Sequence, residues 1–173
     1  MTIEQVKRDV RNVPDFPVPG VQFKDITTIV SDPTELRFLR DEIARMYVDK
    51  GVTKVIGIES RGFILAPAIA MELGAGFVPI RKPGKLPYEY FEESYKKEYG
   101  IDRIQIHKDA LTTDDVVLIH DDLLATGGSM AAAVNLVRKI GVKKIYVNFI
   151  IELDALEGRK MLGETEVSSL IHF

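Results

Sequence analysis

The sequence predicts an α/β fold in which a mostly parallel central sheet is flanked by helices. Three observations carry this. Short apolar runs alternate along the chain with segments of helical periodicity, the pattern of βα units. The runs themselves, Val55–Ile58 (VIGI) and Val116–Ile119 (VVLI), are continuously apolar, as in strands covered on both faces. With 46% apolar residues over 173 positions the chain can bury a core of its own, and this length fits one domain spanning 1–173.

Taken in order, Ile3, Val6 and Val10 fall at helical spacing, and Val13–Gly20 (VPDFPVPG) carries enough proline to be expected irregular. A helix start follows at Asp32, with Pro33 at its first position and Glu35 three residues after the cap. That helix is expected to run to about Asp49, with Leu36, Leu39, Ile43, Met46 and Tyr47 on its buried face and Gly51 behind it. Val55–Ile58 reads as a strand and Gly62–Leu73 as a helix whose first turn Pro67 delays. Phe77–Ile80 is a second strand. Arg81–Gly100 then reads as a long polar and aromatic loop, of a length that is usually functional. Ile104 and Ile106 mark a further strand, Val116–Ile119 another, Met130–Ile140 a helix stopped by Gly141, and Ile145–Ile151 the last strand.

Composition narrows the function. A net charge of −3 supplies no basic field for nucleic acid, so anionic ligands must meet locally placed cations. There is no cysteine, which excludes thiolate metal sites, and the histidines (His107, His120, His172) lie too far apart for a helical zinc motif. No segment approaches the roughly 18 apolar residues of a membrane span, and a soluble, cytoplasmic protein without a membrane partner is expected.

The densest chemistry lies in Val116–Met130 (VVLIHDDLLATGGSM): a strand, an acidic turn and a glycine-rich helix start. Gly127 and Gly128 let backbone N–H groups approach an anion, Thr126 and Ser129 add hydroxyl donors, and the helix N-terminus adds partial positive charge. Asp121 and Asp122 would repel a bare phosphate but suit the two vicinal hydroxyls of a ribose. Together they describe a site for a sugar phosphate. Rival phosphate motifs fail on spacing: there is no G-x-G-x-x-G, and after Gly57 and Gly62 stands Phe63-Ile64 where a P-loop needs Lys-Ser/Thr.

HDDLLATGGSM resembles the signature of type I phosphoribosyltransferases, which bind 5-phosphoribosyl 1-pyrophosphate (PRPP). Its DDLLATGG form resembles the adenine-specific branch. Val13–Ile26 (VPDFPVPGVQFKDI), Gly57–Phe63 (GIESRGF), Arg81–Leu86 (RKPGKL), Glu98-Tyr99-Gly100 and the tail residues Glu152-Leu153 and Gly158-Arg159 fit the same branch in order. The chain departs from the common pattern at His120, Ser129 and Lys24. Ser129 keeps the hydroxyl of the usual threonine, and Lys24 keeps the charge of the usual arginine but loses its planar fork.

The resemblance implies the type I phosphoribosyltransferase fold with a small hood, about residues 1–30 and 81–106, whose flexible loop from Pro83 to Gly100 closes over the site. It implies a purine salvage reaction of adenine with PRPP, giving AMP and pyrophosphate with Mg²⁺ held mainly by PRPP, pyrophosphate and water. Asp121, Asp122, Ala125, Thr126, Gly127, Gly128 and Ser129 would bind the ribose phosphate. Ser60, Arg61 and Gly62 would meet pyrophosphate, with Arg81, Lys82 and Lys85 closing over it. Glu98 would manage the proton on the purine imidazole nitrogen, with Tyr99 beside it and Arg61 sharing the catalytic work. Gln22, Phe23 and Lys24 would surround adenine, with Leu153 on its opposite face, and a homodimer is implied. Two alternatives stand beside this: a 6-oxopurine or xanthine enzyme, and a PRPP-sensing regulator without catalysis.

Overall fold

The computed structural model describes residues 1–96 and 100–173. Five strands, β3 (Lys54–Ile58), β4 (Gly76–Ile80), β7 (Val116–Leu124), β8 (Lys144–Glu152) and β9 (Glu166–His172), form one parallel sheet in the order β4-β3-β7-β8-β9. Two antiparallel pairs stand apart from it: β1 (Arg11–Pro14) with β2 (Gln22–Asp25), and β5 (Tyr90–Lys96) with β6 (Ile101–His107).

Both faces of the sheet are covered, as the apolar strands require. On one face Met130, Ala133, Leu136 and Val137 of α5 (Gly128–Ile140), with Ile104 and Ile106 of β6, pack on Ile56, Ile119 and Phe149. On the other, Val6 of α1 (Ile3–Asp9), Ile29 of α2 (Thr27–Ser31), Leu39 and Ile43 of α3 (Pro33–Tyr47) and Ile69 of α4 (Ala66–Leu73) pack on Val55, Leu118 and Ile150. α3 starts as its sequence dictates: the Asp32 carboxylate accepts from the N–H groups of Thr34 at 2.7 Å and Glu35 at 3.0 Å, satisfying donors the helix leaves open. Pro67 is accommodated because α4 starts late, after a 3₁₀ turn at Arg61–Phe63, and the proline falls in its first turn, where no helix bond needs its N–H.

The structure departs from the sequence reading in five places. Tyr90–Lys96, inside the expected Arg81–Gly100 loop, is a strand. Only Phe91 and Tyr95 of it pack inward on the α5 side, so its alternation is hidden among polar residues. β7 runs on to Leu124, which places Asp121 and Asp122 on a strand rather than in a turn: parallel pairing with Phe149 and Ile151 holds the chain extended through them. Val13 and Pro14, expected irregular, belong to edge strand β1. β9 was not anticipated because Ser168 and Ser169 interrupt its apolar run, and both hydroxyls are bonded inside the fold. On α3, Met46 is exposed while Glu35 is buried, since the helix turns its first-turn carboxylate toward α1.

Candidate active site

The carboxyl ends of β3 and β7, neighbours in the sheet, open into a cleft of about 860 Å³, where ligands of parallel α/β sheets bind. Ser60, Arg61, Asp121, Asp122, Thr126 and Ser129 all line it, so sequence-distant groups expected to act together do meet. A recess of about 180 Å³ beside it is walled by Thr126–Ser129, Ala125, Arg61 and Asp121.

Close backbone approach shapes both walls. A Cβ at Gly62 would lie 2.8 Å from the His120 carbonyl oxygen and 3.1 Å from Asp121 Oδ1, so only glycine lets the turn after β3 reach β7. Gly127 takes φ +85°, and a Cβ there would lie 2.4 Å from the Gly158 carbonyl oxygen; a side chain is barred by conformation and by space. From Gly128 onward α5 presents its first N–H groups to the recess.

The electrostatics are those of a paired acid–base floor. Arg61 Nε lies 2.6 Å from Asp122 Oδ2, with Arg61 half-exposed and Asp122 buried. Burial raises the Asp122 carboxyl above its ordinary range, and the Arg61 charge opposes that rise. Asp121 is pushed up further, first by desolvation and then by the Asp122 charge next to it. Glu59 does not pair with Arg61: its Oε2 accepts from Arg81 Nε at 3.1 Å and from the Lys82 N–H at 2.9 Å. Lys82 Nζ reaches the Tyr95 hydroxyl at 3.1 Å and the Asp102 carboxylate, tying the Arg81–Lys82 segment to the β5–β6 hairpin. Lys85 is exposed. Glu98 and Tyr99 lie outside the described residues.

The hairpin brings residues that sequence reasoning missed. Tyr95 and Lys96 line the cleft: a Cβ on Gly128 would lie 3.6 Å from the Lys96 carbonyl oxygen and 3.7 Å from the Tyr95 ring. The alternation of Phe91, Glu93 and Tyr95 was the one available signal. Met161 also lines the cleft, from a 3₁₀ turn spanning Gly158–Leu162, and carries no motif.

None of the residues expected around the base lines the cleft itself, but the Arg61 guanidinium carbon, at its wall, lies 5.5 Å from the centroid of the Phe23 ring, which also meets Phe16 edge-to-face at 5.1 Å. β2 alternation sends its neighbours' side chains elsewhere. Gln22 Oε1 accepts from Asn12 Nδ2 at 2.8 Å, and Lys24 Nζ donates to Asn12 Oδ1 at 3.1 Å while lying 4.2 Å from the Phe173 ring centroid. Leu153, half-buried, follows the end of β8, its N–H bonded to the Leu124 carbonyl at 3.0 Å. His120 is fully buried, with Nδ1 2.9 Å from Asn148 Oδ1. Asn148 donates onward to Ser168, so Nδ1 carries the proton and Nε2 is left without a partner. Burial pulls its pKa down to about 4, making it a neutral structural group behind the site.

Among the described residues, one set of three groups is spaced to hold a metal, Glu152, Asp154 and His172, and its buried member is already bonded to Arg159. No helix among the described residues is long and apolar enough to cross a membrane.

Residues 33–171 match the family described as the phosphoribosyl transferase domain. The adenine phosphoribosyltransferase of Bacteroides fragilis is 62% identical over 161 residues, covering 93% of this chain and 90% of that protein. The crystal structure of the Giardia lamblia enzyme of that name complexed with 9-deazaadenine superposes with a TM-score of 0.95 at 43% identity, covering 100% of this chain and 98% of that one. The Saccharomyces cerevisiae enzyme, complexed with an imino-altritol bisphosphate and adenine, gives a TM-score of 0.92 at 39% identity and 97% of each chain.

Proposed function

We infer that this chain, which belongs to the phosphoribosyl transferase family, is a purine salvage enzyme that transfers the 5-phosphoribosyl group of PRPP to adenine, giving AMP and pyrophosphate. The observation that carries the site assignment is the convergence, at the ends of β3 and β7, of a glycine-rich anion loop, a carboxylate pair and an arginine whose guanidinium also meets a half-buried aromatic ring.

That geometry supports a division of labour. Thr126–Ser129, with Ala125 leading in, hold the 5-phosphate through backbone N–H groups, two hydroxyls and the α5 dipole. Asp121 and Asp122 accept from the ribose hydroxyls. Asp122, bonded to Arg61, then exchanges partners: a ribose hydroxyl taking that oxygen frees the guanidinium to meet pyrophosphate. Ser60 and Gly62 N–H groups join it, with Arg81, Lys82 and Lys85 approaching from the segment that leads into the hairpin. Phe23 stacks on the purine, the Gln22 and Lys24 backbone lies along its edge, and Leu153 covers its far face. The Lys24 side chain, held by Asn12 and Phe173, orders the strand that carries Phe23.

In the reaction a ring nitrogen of adenine bonds to ribose C1 as the bond from C1 to pyrophosphate breaks, so catalysis is positioning plus stabilisation of charge. Mg²⁺, when bound, neutralises charge on the leaving pyrophosphate. Its preference for phosphate oxygens and water suits a cleft whose Asp121 and Asp122 are taken by the ribose hydroxyls. From the sequence resemblance, Glu98 takes the proton of the imidazole nitrogen and Tyr99 covers the substrate. Residues 1–30 and 81–106 form the hood of one domain, and its closure keeps water from the cation-like centre.

We also read the protein as a cytoplasmic homodimer. Phe77 is exposed and meets Phe63 edge-to-face, and Ile64, next in the chain to Phe63, is exposed as well, apolar surface that a second copy would cover. Light scattering on purified protein checks the mass.

A panel of bases with PRPP, read as pyrophosphate release, tests the function. Adenine is expected to turn over, and hypoxanthine, guanine and xanthine are not, because their donors and acceptors are reversed at the exocyclic position. Turnover of a 6-oxopurine with none of adenine would overturn the assignment.

A further inference from the structure

Glu152 ends β8 and is buried although charged. Both of its oxygens are engaged by a single guanidinium: Arg159 Nε donates to Oε1 at 2.6 Å and Nη2 to Oε2 at 2.7 Å. Ser169 Oγ donates to Oε2 at 2.6 Å, and Arg159 Nη1 donates to the Val167 carbonyl at 2.9 Å. The fork thus fastens the chain after β8 to edge strand β9. These bonds hold the Glu152 carboxyl below its ordinary range although burial alone would raise it.

The residue immediately before Arg159 supports the phosphate loop. A Cβ on Gly158 would lie 2.2 Å from the Ala125 carbonyl oxygen and 2.9 Å from Leu124 Cδ1, and one on Gly127 would lie 2.4 Å from the Gly158 carbonyl oxygen. Two backbones rest directly on each other there, with no side chain between them to absorb a shift. Where Gly158 stands, Ala125–Gly127 must stand, and the position of Gly158 is set by the fork at the next residue. Anion-binding N–H groups tolerate displacements of only about half an ångström.

We infer that Arg159 and Glu152 are positioning residues for the 5-phosphate: their bidentate pair holds Gly158 as a rigid buttress under Ala125–Gly127, so that the loop is preformed before PRPP arrives. The inference rests on the reading of Thr126–Ser129 as the 5-phosphate site. Arg159 touches no substrate and acts through the Gly158 backbone alone. The pyrophosphate end, at Ser60–Gly62 in the turn after β3, rests instead on the His120 carbonyl of β7 and is held independently of the fork.

That asymmetry is the test. Affinities for ribose 5-phosphate and for magnesium pyrophosphate are measured by calorimetry on the full chain, wild type and variants, with thermal melts alongside. Arg159→Ala is expected to weaken ribose 5-phosphate by about tenfold or more, the scale of one charge-assisted bidentate pair, and to leave pyrophosphate within about twofold. Arg159→Lys keeps the charge but cannot span both carboxylate oxygens and should fall between. Gly158→Ala, which leaves the fork intact and pushes on Ala125 directly, should show the same selective loss and serves where Arg159→Ala does not fold. Equal weakening of both ligands, or unchanged affinity for both in folded variants, overturns the inference. Wild-type protein that fails to bind ribose 5-phosphate would instead overturn the phosphate-site reading and the inference with it.

Discussion

Replacing Asp121 by asparagine should move stability and activity in opposite directions. Asp121 is half-buried at the cleft wall beside a second carboxylate, and desolvation together with the Asp122 charge holds its pKa well above the usual range. The nearby Arg61 is bonded to Asp122 and its charge offsets only part of the rise at Asp121, so the ionised Asp121 is a standing cost to the fold. The bond that Asp121 Oδ1 accepts from the Asp122 N–H, 2.9 Å, survives in asparagine, which keeps that oxygen. Because the folded pKa lies above the unfolded one, the folded state binds more protons between the two values, and wild-type stability declines as pH rises through that window. Asp121→Asn should lack the decline. The variant should match wild type well below the ordinary carboxylate range and exceed it at neutral pH, by about 1 kcal/mol on the scale of relieved active-site strain, or roughly 2–4 °C in Tm for a chain of this size. Activity should fall, because a ribose hydroxyl loses a charged acceptor worth about 1.5–3 kcal/mol, or roughly 10- to 150-fold in kcat/KM for PRPP. Melts across pH with steady-state kinetics at saturating adenine read both quantities. A variant no more stable than wild type at neutral pH, or one with unaltered kcat/KM, refutes the reasoning.

Asp122→Asn should lose activity without the gain in Tm, since it strips Arg61 of its 2.6 Å partner; a stabilisation equal to that of Asp121→Asn would show the two carboxylates to be equivalent. Phe23→Ala should raise KM for adenine by about 5- to 150-fold, the range of one base–aromatic stack, with KM for PRPP little changed, and similar shifts in both would remove Phe23 from the base site. Gly62→Ala drives a methyl to 2.8 Å from a backbone oxygen, so about 1–3 kcal/mol of overpacking should appear in the melt together with weakened pyrophosphate binding; a neutral effect would mean that the turn moves freely. His120→Leu leaves the Asn148 side-chain oxygen without its donor, costing about 1–3 kcal/mol. His120 has a folded pKa of about 4 against an ordinary 6.5, so wild-type stability is lost as pH falls through that interval, and the variant should lose less over the same span.

Legibility in the sequence followed the range of the forces involved. The helix start at Asp32–Glu35 depends on bonds between neighbours and was readable to the residue. The strands buried on both faces were readable because their environment is uniform. Tyr90–Lys96 was not: its inward residues are two, and its partner strand lies beyond residues that read as loop. Ser168 and Ser169 disguised β9 for a different reason, since their hydroxyls are satisfied by Tyr47, Asn148 and Glu152, residues from α3 and β8 that no local pattern brings together.

The same distinction separates the parts of the candidate site. Gly127 and Gly128 announce themselves because a phosphate loop needs glycine whatever surrounds it, yet what fixes Gly127 is the carbonyl of Gly158, thirty-one residues on. Sequence showed two adjacent aspartates and gave them one role. The fold distinguishes them, because strand β7 places Asp122 in direct contact with Arg61, whereas Asp121 feels that charge only as the weakest of the influences on its carboxyl. One carboxylate is thereby held ready in a pair that ligand can exchange, and the other is held at a cost that ligand relieves. Each arrangement suits a ribose hydroxyl, by partner exchange in the first case and by a new hydrogen-bond donor to a desolvated carboxylate in the second, and neither could be inferred from two identical letters in a row.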